Sequence, residues 1–426
     1  MESSSRQIKD RRKFLRMLAA SPLLALPGSS HLLPQKLLAS GHAGTKGALT
    51  LFESFEQGES LISSPEQAFD VMDFEPVARK TLPPAHFGFL ATGVDDDATV
   101  RANREGFTKL QIRARRLVDV SSIDMSVRLF GTSWDSPIVL SPVGDQKAFH
   151  PEGEIAVAKA ARTKGHLQIL STVTSFSVED VTAARGVPIW FQLYVNNVWD
   201  IARAMIRRAE AAGCPVLVLT VDLKEGSNRE TLFRAERADS RQCSMCHTNG
   251  FVGFGRVAAR PMFAGLDTSK ATNLISPALT WDYVKRLKDT TTMKLVLKGI
   301  VTREDAQLAV EHGVDGLIVS NHGGRAEETL RSTIESLPEV LEGSARKIPV
   351  LVDGGFRRGT DIFKALALGA NAVGIGRPYA WGLASFGQPG VEAVLSILRR
   401  ELQTIMRQAG TTSIDKITSA YLAKGS

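Results

Sequence analysis

The stretch Ile348–Pro378, IPVLVDGGFRRGTDIFKALALGANAVGIGRP, decides the fold. It opens with an apolar run that ends at Asp353, passes through two glycines into a helical segment that closes on Gly369, and returns to a second apolar run before Gly376 and Arg377. Neither run alternates with polar residues, which is typical of parallel strands buried on both faces. A strand, a helix and a second strand joined by short loops form a βαβ unit.

Runs of the same kind recur earlier in the chain. Together with the two above, they are PIVLSPV from Pro137, LQILSTV from Leu167, PIWFQLYV from Pro188, PVLVLTVD from Pro215, KLVLKGI from Lys294, GLIVSNH from Gly316, IPVLVDGG from Ile348 and NAVGIGRP from Asn371. Helical segments between them, such as EIAVAKAARTKG and TREDAQLAVEHG, close on glycine as helices commonly do. Eight strand and helix units predict an α/β fold of the TIM (β/α)8 barrel type and disfavour a doubly wound open sheet.

One interval in this series is much longer than the others. The fourth run begins at Pro215 and the fifth only at Lys294. We interpret residues 224–279 as an insertion in the loop after the fourth barrel strand, and residues 66–415 as the barrel domain that carries it. Long insertions of this kind commonly serve as lids or partner surfaces.

Composition and charge exclude some classes of function. The chain has 426 residues, of which 43% are hydrophobic, so it can bury a full core. Its net charge of +7 is concentrated at the start, where residues 1–41 hold seven Lys and Arg against two acidic residues. The remainder is close to neutral and shows no basic stripe interleaved with aromatic residues. We therefore expect no nucleic-acid partner.

The basic head resembles an export signal. DRRKFLRML carries Arg11 and Arg12 before Phe14, and a modest apolar stretch leads to small residues around Ala39–Ala43. This order is typical of a twin-arginine signal peptide, which we place at residues 1–43. A basic amphipathic leader or a disordered tail is the alternative. Because no run approaches the roughly 18 to 20 apolar residues of a spanning helix, we expect a soluble protein exported to the periplasm.

Polar residues terminate all eight runs. Since the active sites of TIM barrels lie at the carboxyl ends of the strands, these residues are candidate site residues. They are Ser141 and Pro142; Ser171 and Thr172; Gln192 and Tyr194; Thr220 and Asp222; Lys298; Ser320, His322 and Arg325; Asp353, Gly354, Gly355 and Arg357; Gly376 and Arg377. Each one alone has a structural explanation, such as a serine that caps the next helix. Their convergence on one rim favours a functional site.

The last two strand ends have the features of a phosphate site. VDGGFRRGTD combines consecutive glycines, Arg357 and a helix start, and GIGRP adds Gly376 and Arg377 after the next strand. Glycine permits close backbone approach, amide groups at helix starts attract anions, and arginine offers a bidentate fork. Ordinary turn glycines with surface arginines are the alternative. No GxGxxG follows an early strand, so a Rossmann domain lacks support.

Several of these segments together resemble one known family. SNHGGR, LVDGGFRRGTD, FQLYV, LTVD and VLKG are similar to the signature segments of the FMN-dependent 2-hydroxy acid dehydrogenases and oxidases, in the same order and over about residues 66–415. This family includes glycolate oxidase, lactate oxidase, mandelate dehydrogenase and flavocytochrome lactate dehydrogenase. The resemblance implies an FMN cofactor, oxidation of a small (S)-2-hydroxy acid to the 2-oxo acid, and a homo-oligomer.

The resemblance also implies catalytic roles for four residues. His322 is expected to be the base that takes a proton from the substrate, and Asp222 to orient its imidazole and stabilise the protonated form. Tyr194 is expected to bond the substrate oxygen. Lys298 is expected beside the flavin ring, where its charge would stabilise the reduced anionic form.

Substrate binding is implied for two arginines. Arg325 and Arg229 are expected to grip the substrate carboxylate together with Tyr194, because two guanidinium forks fit a small planar anion. Two departures from the family pattern leave the identity of the acid open. Phe89 stands where the family commonly has a second substrate tyrosine, and Val173 stands where it has a tryptophan.

The cofactor-binding set that the resemblance implies surrounds the same rim. It consists of Ser141, Pro142, Val143, Ser171, Gln192, Thr220, Lys298, Ser320, Asp353, Gly354, Gly355, Arg357, Gly376 and Arg377. The ring edge is expected to bond Gln192, Thr220 and Ser171, and the phosphate is expected at the last two loops.

The predicted insertion contains a further motif, RQCSMCHTNG. Cys243, Cys246 and His247 reproduce the CxxCH pattern of covalent c-type haem attachment. A disulfide between the two cysteines or a transient metal site is a second interpretation, and coincidence is a third. No certain metal ligand follows from the sequence. With the export signal, the motif favours electron transfer to a cytochrome or quinone. An oxidase that uses oxygen and a non-catalytic flavin or haem electron carrier are the alternatives.

Overall fold

The computed structural model describes residues 61–223, 226–240 and 254–424, and a closed barrel dominates it. The strands in these ranges are β1 (Leu110–Ile112), β2 (Val127–Leu129), β3 (Thr132–Trp134), β4 (Ile138–Leu140), β5 (Leu167–Leu170), β6 (Trp190–Leu193), β7 (Val216–Thr220), β8 (Lys294–Ile300), β9 (Gly316–Val319), β10 (Val350–Asp353), β11 (Ala372–Ile375) and β12 (Leu422–Lys424). Strands β4 to β11 pair in parallel in chain order, and β11 closes on β4. The predicted TIM barrel is confirmed.

Helices surround the barrel. They are α1 (Phe74–Thr81), α2 (Pro84–Ala91), α3 (Ala98–Glu105), α4 (Gly153–Lys164), α5 (Val178–Arg185), α6 (Trp199–Ala211), α7 (Glu230–Ala238), α8 (Gly255–Ala258), α9 (Trp281–Lys288), α10 (Arg303–Glu311), α11 (Thr333–Gly343), α12 (Gly359–Leu368) and α13 (Arg377–Ala409). The last is interrupted at Phe386 and Gly387, where the backbone leaves the helical conformation. No helix in these ranges has the length and apolar character that a bilayer span requires.

Each of the eight predicted strand runs contains one barrel strand. The strands are buried on both faces because side chains that point inward fill the barrel while those that point outward meet the helices. Two of the predicted helix ends are confirmed. Gly165 and Gly369 follow α4 and α12 with φ of 70° and 118°, in the left-handed region that a residue with a Cβ enters only with strain.

A hairpin closes the end of the barrel where the strands begin. It consists of β2 and β3, which pair antiparallel, and its side chains pack against the residues that fill the barrel. The Phe130 ring lies 5.4 Å from the ring of Trp190 at the start of β6. The described fold is therefore open to ligands at the opposite end, where the strands finish.

Two helices from outside the repeating units lie near that open end. α2 precedes the barrel in the chain, and α7 belongs to the predicted insertion. They approach so closely that a Cβ added to Gly88 would lie 2.4 Å from the Cβ of Ala235. The rest of the insertion that is described contains α8 and a short turn at Pro261–Phe263. The predicted signal peptide at residues 1–43 and the CSMCH motif lie outside the described residues.

Candidate active site

A cavity of about 760 Å³ lies at the carboxyl ends of the barrel strands. All eight strand ends contribute to its lining, through Ser141, Ser171, Tyr194, Leu223, Lys298, His322, Asp353 and Gly376. Enzyme pockets for organic ligands commonly measure roughly 300 to 1,000 Å³, so the cavity can hold a cofactor together with a small substrate. It is the site that the sequence places at this rim.

A histidine and an aspartate form the centre of the site. His322 Nδ1 lies 2.9 Å from Asp222 Oδ1, and its Nε2 lies 3.4 Å from the Tyr194 hydroxyl. The backbone of His322 has a φ of 56°, which is uncommon for a residue with a side chain and is typical of functional sites. Its amide donates to Ser320 Oγ at 3.1 Å, which helps to hold this conformation.

Electrostatics favour a neutral histidine with one nitrogen available to accept a proton. Burial lowers the pKa of His322 below its ordinary value, although Asp222 acts in the opposite direction. Burial would raise the pKa of Asp222, but His322 and Lys298 hold it below its ordinary value, so this carboxylate stays charged. An ionised Asp222 fixes the proton on Nδ1 and leaves the Nε2 lone pair directed at the cavity. Burial raises the pKa of Tyr194, which therefore remains a hydrogen-bond donor.

Two arginines lie beside this pair. Arg229 is 7% exposed, and its Nη2 donates to the Arg325 carbonyl at 3.3 Å. Arg325 donates to the carbonyls of Phe89 and Thr92, and its guanidinium carbon lies over the Phe89 ring. Burial, then the nearby charges of Arg229 and Arg377, lower the pKa of Arg325 well below its ordinary value. A bound anion would offset this repulsion, so the arrangement suits a carboxylate.

A buried lysine connects the histidine loop to the next strand. Lys298 is 4% exposed, and its Nζ donates to Ser320 Oγ at 2.7 Å and lies 3.2 Å from Asp353 Oδ2. Ser141 Oγ donates to the same Asp353 oxygen at 3.4 Å. The Lys298 ammonium group therefore lies in the cavity wall, where it can stabilise negative charge on a ligand.

Several buried polar atoms at the rim have no partner within the described part of the chain, and two of them, Gln192 Nε2 and Asp353 Oδ1, are those expected to face a cofactor. Gln192 Oε1 accepts from Ser171 Oγ at 3.2 Å and from the Thr172 amide at 3.3 Å, which leaves Gln192 Nε2 buried without an acceptor. Asp353 Oδ1 is buried without a donor. Buried polar groups are normally satisfied, so this rim suits a ligand with both donors and acceptors along one edge, as a flavin ring has.

The glycines after β10 form the base of the predicted phosphate site. Gly354 and Gly355 have φ of 106° and 81°, and a Cβ added to Gly355 would lie 2.2 Å from the Asn103 carbonyl. Arg357 lies 4.6 Å from the Trp381 ring centre, and burial, then the charges of Arg377 and Arg104, lower its pKa to about 9. The glycines thus let the loop pack against α3 while their backbone lines the cavity, and the surplus positive charge beside them suits a phosphate group.

Arg377 differs from the expectation that it supplies a guanidinium to this phosphate. Its side chain lines the cavity, but Nε donates to Leu90 at 2.7 Å, Nη1 to Gly323 at 2.8 Å and Nη2 to Thr92 at 2.9 Å, all at carbonyl oxygens. The guanidinium therefore ties α2 and the histidine loop to α13. An anion would instead meet the backbone amide groups of Gly376 and Arg377 at the start of α13.

The remaining predicted residues also lie at the rim. Phe89, Pro142 and Val143 line the cavity, and Thr220 is buried at the end of β7. The sequence did not indicate a further set of lining residues, namely Gly226, Leu232, Phe233, Leu274 and Ile275. These come from the insertion, where no local pattern marks them. Within the described ranges, no group of three or more His, Cys, Asp or Glu side chains is placed to hold a metal ion.

Comparison with known proteins gives a consistent result. Residues 78–424 match the family of FMN-dependent dehydrogenases. A peroxisomal (S)-2-hydroxyacid oxidase of Arabidopsis thaliana is 39% identical over 357 residues, which cover 84% of this chain and 97% of that protein. A soluble mutant of the membrane-associated (S)-mandelate dehydrogenase from Pseudomonas putida has a TM-score of 0.76 at 32% identity, with 84% and 100% of the two chains covered. A flavocytochrome b2 mutant with pyruvate bound also has a TM-score of 0.76 at 32% identity, with 89% and 92% covered.

Proposed function

This chain belongs to the FMN-dependent dehydrogenase family, and we propose that it oxidises an (S)-2-hydroxy acid to the 2-oxo acid and passes the electrons to a respiratory cytochrome or quinone. The observation that carries the oxidation is the pairing of His322 with Asp222 at 2.9 Å beside the buried Arg229 and the half-buried Arg325. This is a base next to a carboxylate-binding pair. The lactate-like size expected from the sequence stays a prediction.

The chain's own groups account for substrate binding and proton transfer. Arg229 and Arg325 would bind the carboxylate and so bring the hydroxyl-bearing carbon to His322. His322 Nε2 would accept the proton, and Asp222 at Nδ1 would stabilise the imidazolium that forms. The Tyr194 hydroxyl, 3.4 Å from Nε2, would donate to the substrate oxygen.

The residues present fit FMN. The unsatisfied Gln192 Nε2 and the neighbouring Ser171 and Lys298 would hold the ring edge, while Gly354, Gly355, Arg357 and the backbone at Gly376 would hold the phosphate. When bound, FMN supplies the acceptor of the two electrons that leave the substrate. The buried Lys298 charge would favour its reduced, negative form.

The electron acceptor is inferred from sequence features. The twin-arginine-type signal at residues 1–43 supports a periplasmic protein, where respiratory cytochromes and quinone-linked partners are available. CSMCH supports a haem relay, although it lies outside the described residues. The second candidate function is that of an oxygen-using oxidase. It is supported by the 39% identity to the (S)-2-hydroxyacid oxidase of Arabidopsis thaliana. Family membership also supports a homo-oligomer.

Anaerobic stopped-flow spectroscopy tests the oxidation. Mixing the purified FMN enzyme with (S)-2-hydroxy acids is expected to bleach the flavin, and His322→Ala is expected to abolish bleaching while it retains the flavin. A non-catalytic electron carrier would show no bleaching by any acid.

A second mixing step tests the acceptor. We expect fast reoxidation of the reduced enzyme by a c-type cytochrome or a quinone analogue and slow reoxidation by air. Stoichiometric peroxide at a rate that matches turnover would instead establish an oxidase. A pyridine haemochrome spectrum decides whether CSMCH carries haem.

A further inference from the structure

One peptide group connects the arginines of the site to a carboxylate outside it. This group joins Thr92 to Gly93, just after the end of α2. Its carbonyl oxygen, on Thr92, accepts from Arg325 Nη1 at 3.2 Å and from Arg377 Nη2 at 2.9 Å. Its amide, on Gly93, donates to Asp97 Oδ1. The peptide group therefore lies between two guanidinium groups on one side and a carboxylate on the other.

The glycine in this peptide group allows the close approach. A Cβ at Gly93 would lie 2.9 Å from Asp97 Oδ1 and 2.8 Å from the Gly324 carbonyl oxygen, so a larger residue would displace the carboxylate or the histidine loop. The peptide dipole has its carbonyl toward the cations and its amide toward the anion. Hydrogen bonds in such a chain polarise one another, which strengthens the attraction between Asp97 and the two guanidinium groups.

The arginines lie close enough to repel one another, and Asp97 offsets part of this repulsion. Burial, then the charges of Arg229 and Arg377, lower the pKa of Arg325 well below its ordinary value, and Asp97 acts in the opposite direction. Burial also lowers the pKa of Arg377 to about 10, where Glu75 and Asp97 act in the opposite direction. Asp97 is not among the residues that line the cavity. It therefore acts on a bound anion through its charge and not through a contact.

The second oxygen of Asp97 holds the carboxylate in this place. Asp97 Oδ2 accepts from Thr231 Oγ1 at 2.5 Å, and Thr231 lies in the first turn of α7, two residues after Arg229. Because both oxygens are bonded, the carboxylate cannot turn toward Arg325 and pair with it directly. The negative charge stays behind the peptide group, and the guanidinium group remains available to a ligand.

We propose that Asp97 is a positioning residue whose charge limits how tightly the site holds a carboxylate. It balances the arginines while the site is empty and repels the anion that binds there, so that the 2-oxo acid product can leave. This inference rests on the proposed function, in which Arg229 and Arg325 bind the carboxylate of substrate and product. Two unit charges about 10 Å apart, at an effective dielectric constant of roughly 20, change each other's binding constant roughly ten-fold.

Asp97→Asn removes the charge and keeps the shape. Asp97 has a φ of 58°, a region that asparagine also enters, and the asparagine amide can bond both Gly93 and Thr231. Pyruvate is titrated into the oxidised FMN enzyme, and the flavin spectrum reports binding. The Kd is expected to fall roughly three- to thirty-fold. A residue with a merely structural role would instead weaken binding when it is replaced.

The outcomes separate this inference from the proposed function. An unchanged or higher Kd in folded, flavin-loaded Asp97→Asn would overturn the inference, while bleaching by 2-hydroxy acids would leave the proposed function intact. Absence of bleaching by every acid would remove both. Asp97→Gly is a second neutral variant that suits the same backbone conformation, and it should also bind pyruvate more tightly than the wild type.

Two further variants control for changes other than charge at this position. Asp95→Asn is the matched control, because Asp95 lies in the same loop with a φ of 48° and also bonds the segment before α7, through Asn228 Nδ2 at 2.8 Å. Its Kd should stay close to the wild-type value. Thr231→Val breaks the bond to Asp97 but leaves the charge, so it should not tighten binding. Tighter binding in either control, equal to that of Asp97→Asn, would refute the role of the Asp97 charge.

A ligand with a second charge gives an independent check. Oxalate is a dianion of about the size of pyruvate, so loss of one repelling charge should act on it about twice as strongly on a logarithmic scale. The fold-change in Kd between the wild type and Asp97→Asn should therefore be larger for oxalate than for pyruvate. Equal fold-changes for the two ligands would show that the substitution altered the shape of the site, and would overturn the inference.

Discussion

The guanidinium carbon of Arg325 lies 4.6 Å from the centre of the Phe89 ring. This half-buried charge lies beside Arg229, and the ring face, two backbone carbonyls and the negative charge of Asp97 stabilise it before an anion binds. A cation over an aromatic ring gains roughly 0.5 to 2 kcal/mol. Phe89 therefore supports the carboxylate site although it has no hydroxyl to offer the substrate.

Replacing the Phe89 ring tests this relationship. Phe89→Leu is expected to raise KM for the 2-hydroxy acid roughly two- to ten-fold with a smaller effect on kcat, because Arg325 loses its support. Phe89→Tyr is the matched control, since it keeps the ring and adds a donor, and its KM is expected to be unchanged or lower. Steady-state kinetics of both variants check this. A wild-type KM in Phe89→Leu would show that the ring contributes nothing to the site.

The pairing of His322 with Asp222 predicts the effect of an amide at the carboxylate position. Asp222→Asn is expected to lower the rate of flavin reduction by about 10²- to 10⁴-fold, because the amide cannot stabilise the imidazolium. Flavin content should stay at the wild-type level. Single-turnover reduction measures the rate, and a loss smaller than ten-fold would mean that Asp222 does not stabilise the protonated form of His322.

The pH profile follows from the same pair. Because burial lowers the pKa of His322, the neutral base persists below the ordinary value of 6.5, and kcat/KM should fall only as the pH drops below that value. Tyr194 has a raised pKa and should add no alkaline limb near neutrality. Tyr194→Phe, which leaves the charges around His322 unchanged, should reduce kcat/KM without moving the acid limb. An acid limb above pH 6.5 in the wild type would contradict the assignment.

Arg357 and Arg358 are adjacent in the chain, but only Arg357 lines the cavity. Replacing each in turn therefore tests the phosphate site. Arg357→Met is expected to weaken FMN binding about 10- to 100-fold, because it removes a buried cation from the phosphate site. Arg358→Met is the matched control, since Arg358 pairs with Asp70 and Glu401 away from the cavity lining. Fluorescence quenching of FMN by the apoprotein gives both affinities. Equal affinities would place the phosphate elsewhere.

The barrel and its centre could be predicted because their signals are local. Continuous apolar runs mark strands buried on both faces, and the polar residues after them, such as Asp222 and His322, must meet at one end of a closed sheet. The structure brings these two to 2.9 Å. The strand pattern therefore predicted that these residues share one end of the barrel, whereas their pairing was implied by the resemblance to the family.

Two features of the site could not be predicted, because they depend on contacts between segments that are distant in the chain. Arg377 follows a glycine-rich strand end, as a phosphate ligand would, but it donates to the carbonyls of Leu90 and Thr92 at the end of α2, far away in the chain. Leu274 and Ile275 lie in an insertion without a repeating pattern, and only folding places them on the cavity wall. Neither the hydrogen bonds of Arg377 nor the position of Leu274 and Ile275 could be predicted from residues that are adjacent in the sequence.

The hairpin of β2 and β3 seals the end of the barrel where the strands begin, with Phe130 and Trp134 packed among the residues that fill it. In the part of the chain that the structure describes, substrate and 2-oxo acid therefore reach the site from the end that carries His322. A small oxidant that enters at the same end would meet a site that the 2-oxo acid has already left. Parallel lines in double-reciprocal plots, with the 2-oxo acid competing against the oxidant, are the kinetic pattern expected for this shared route.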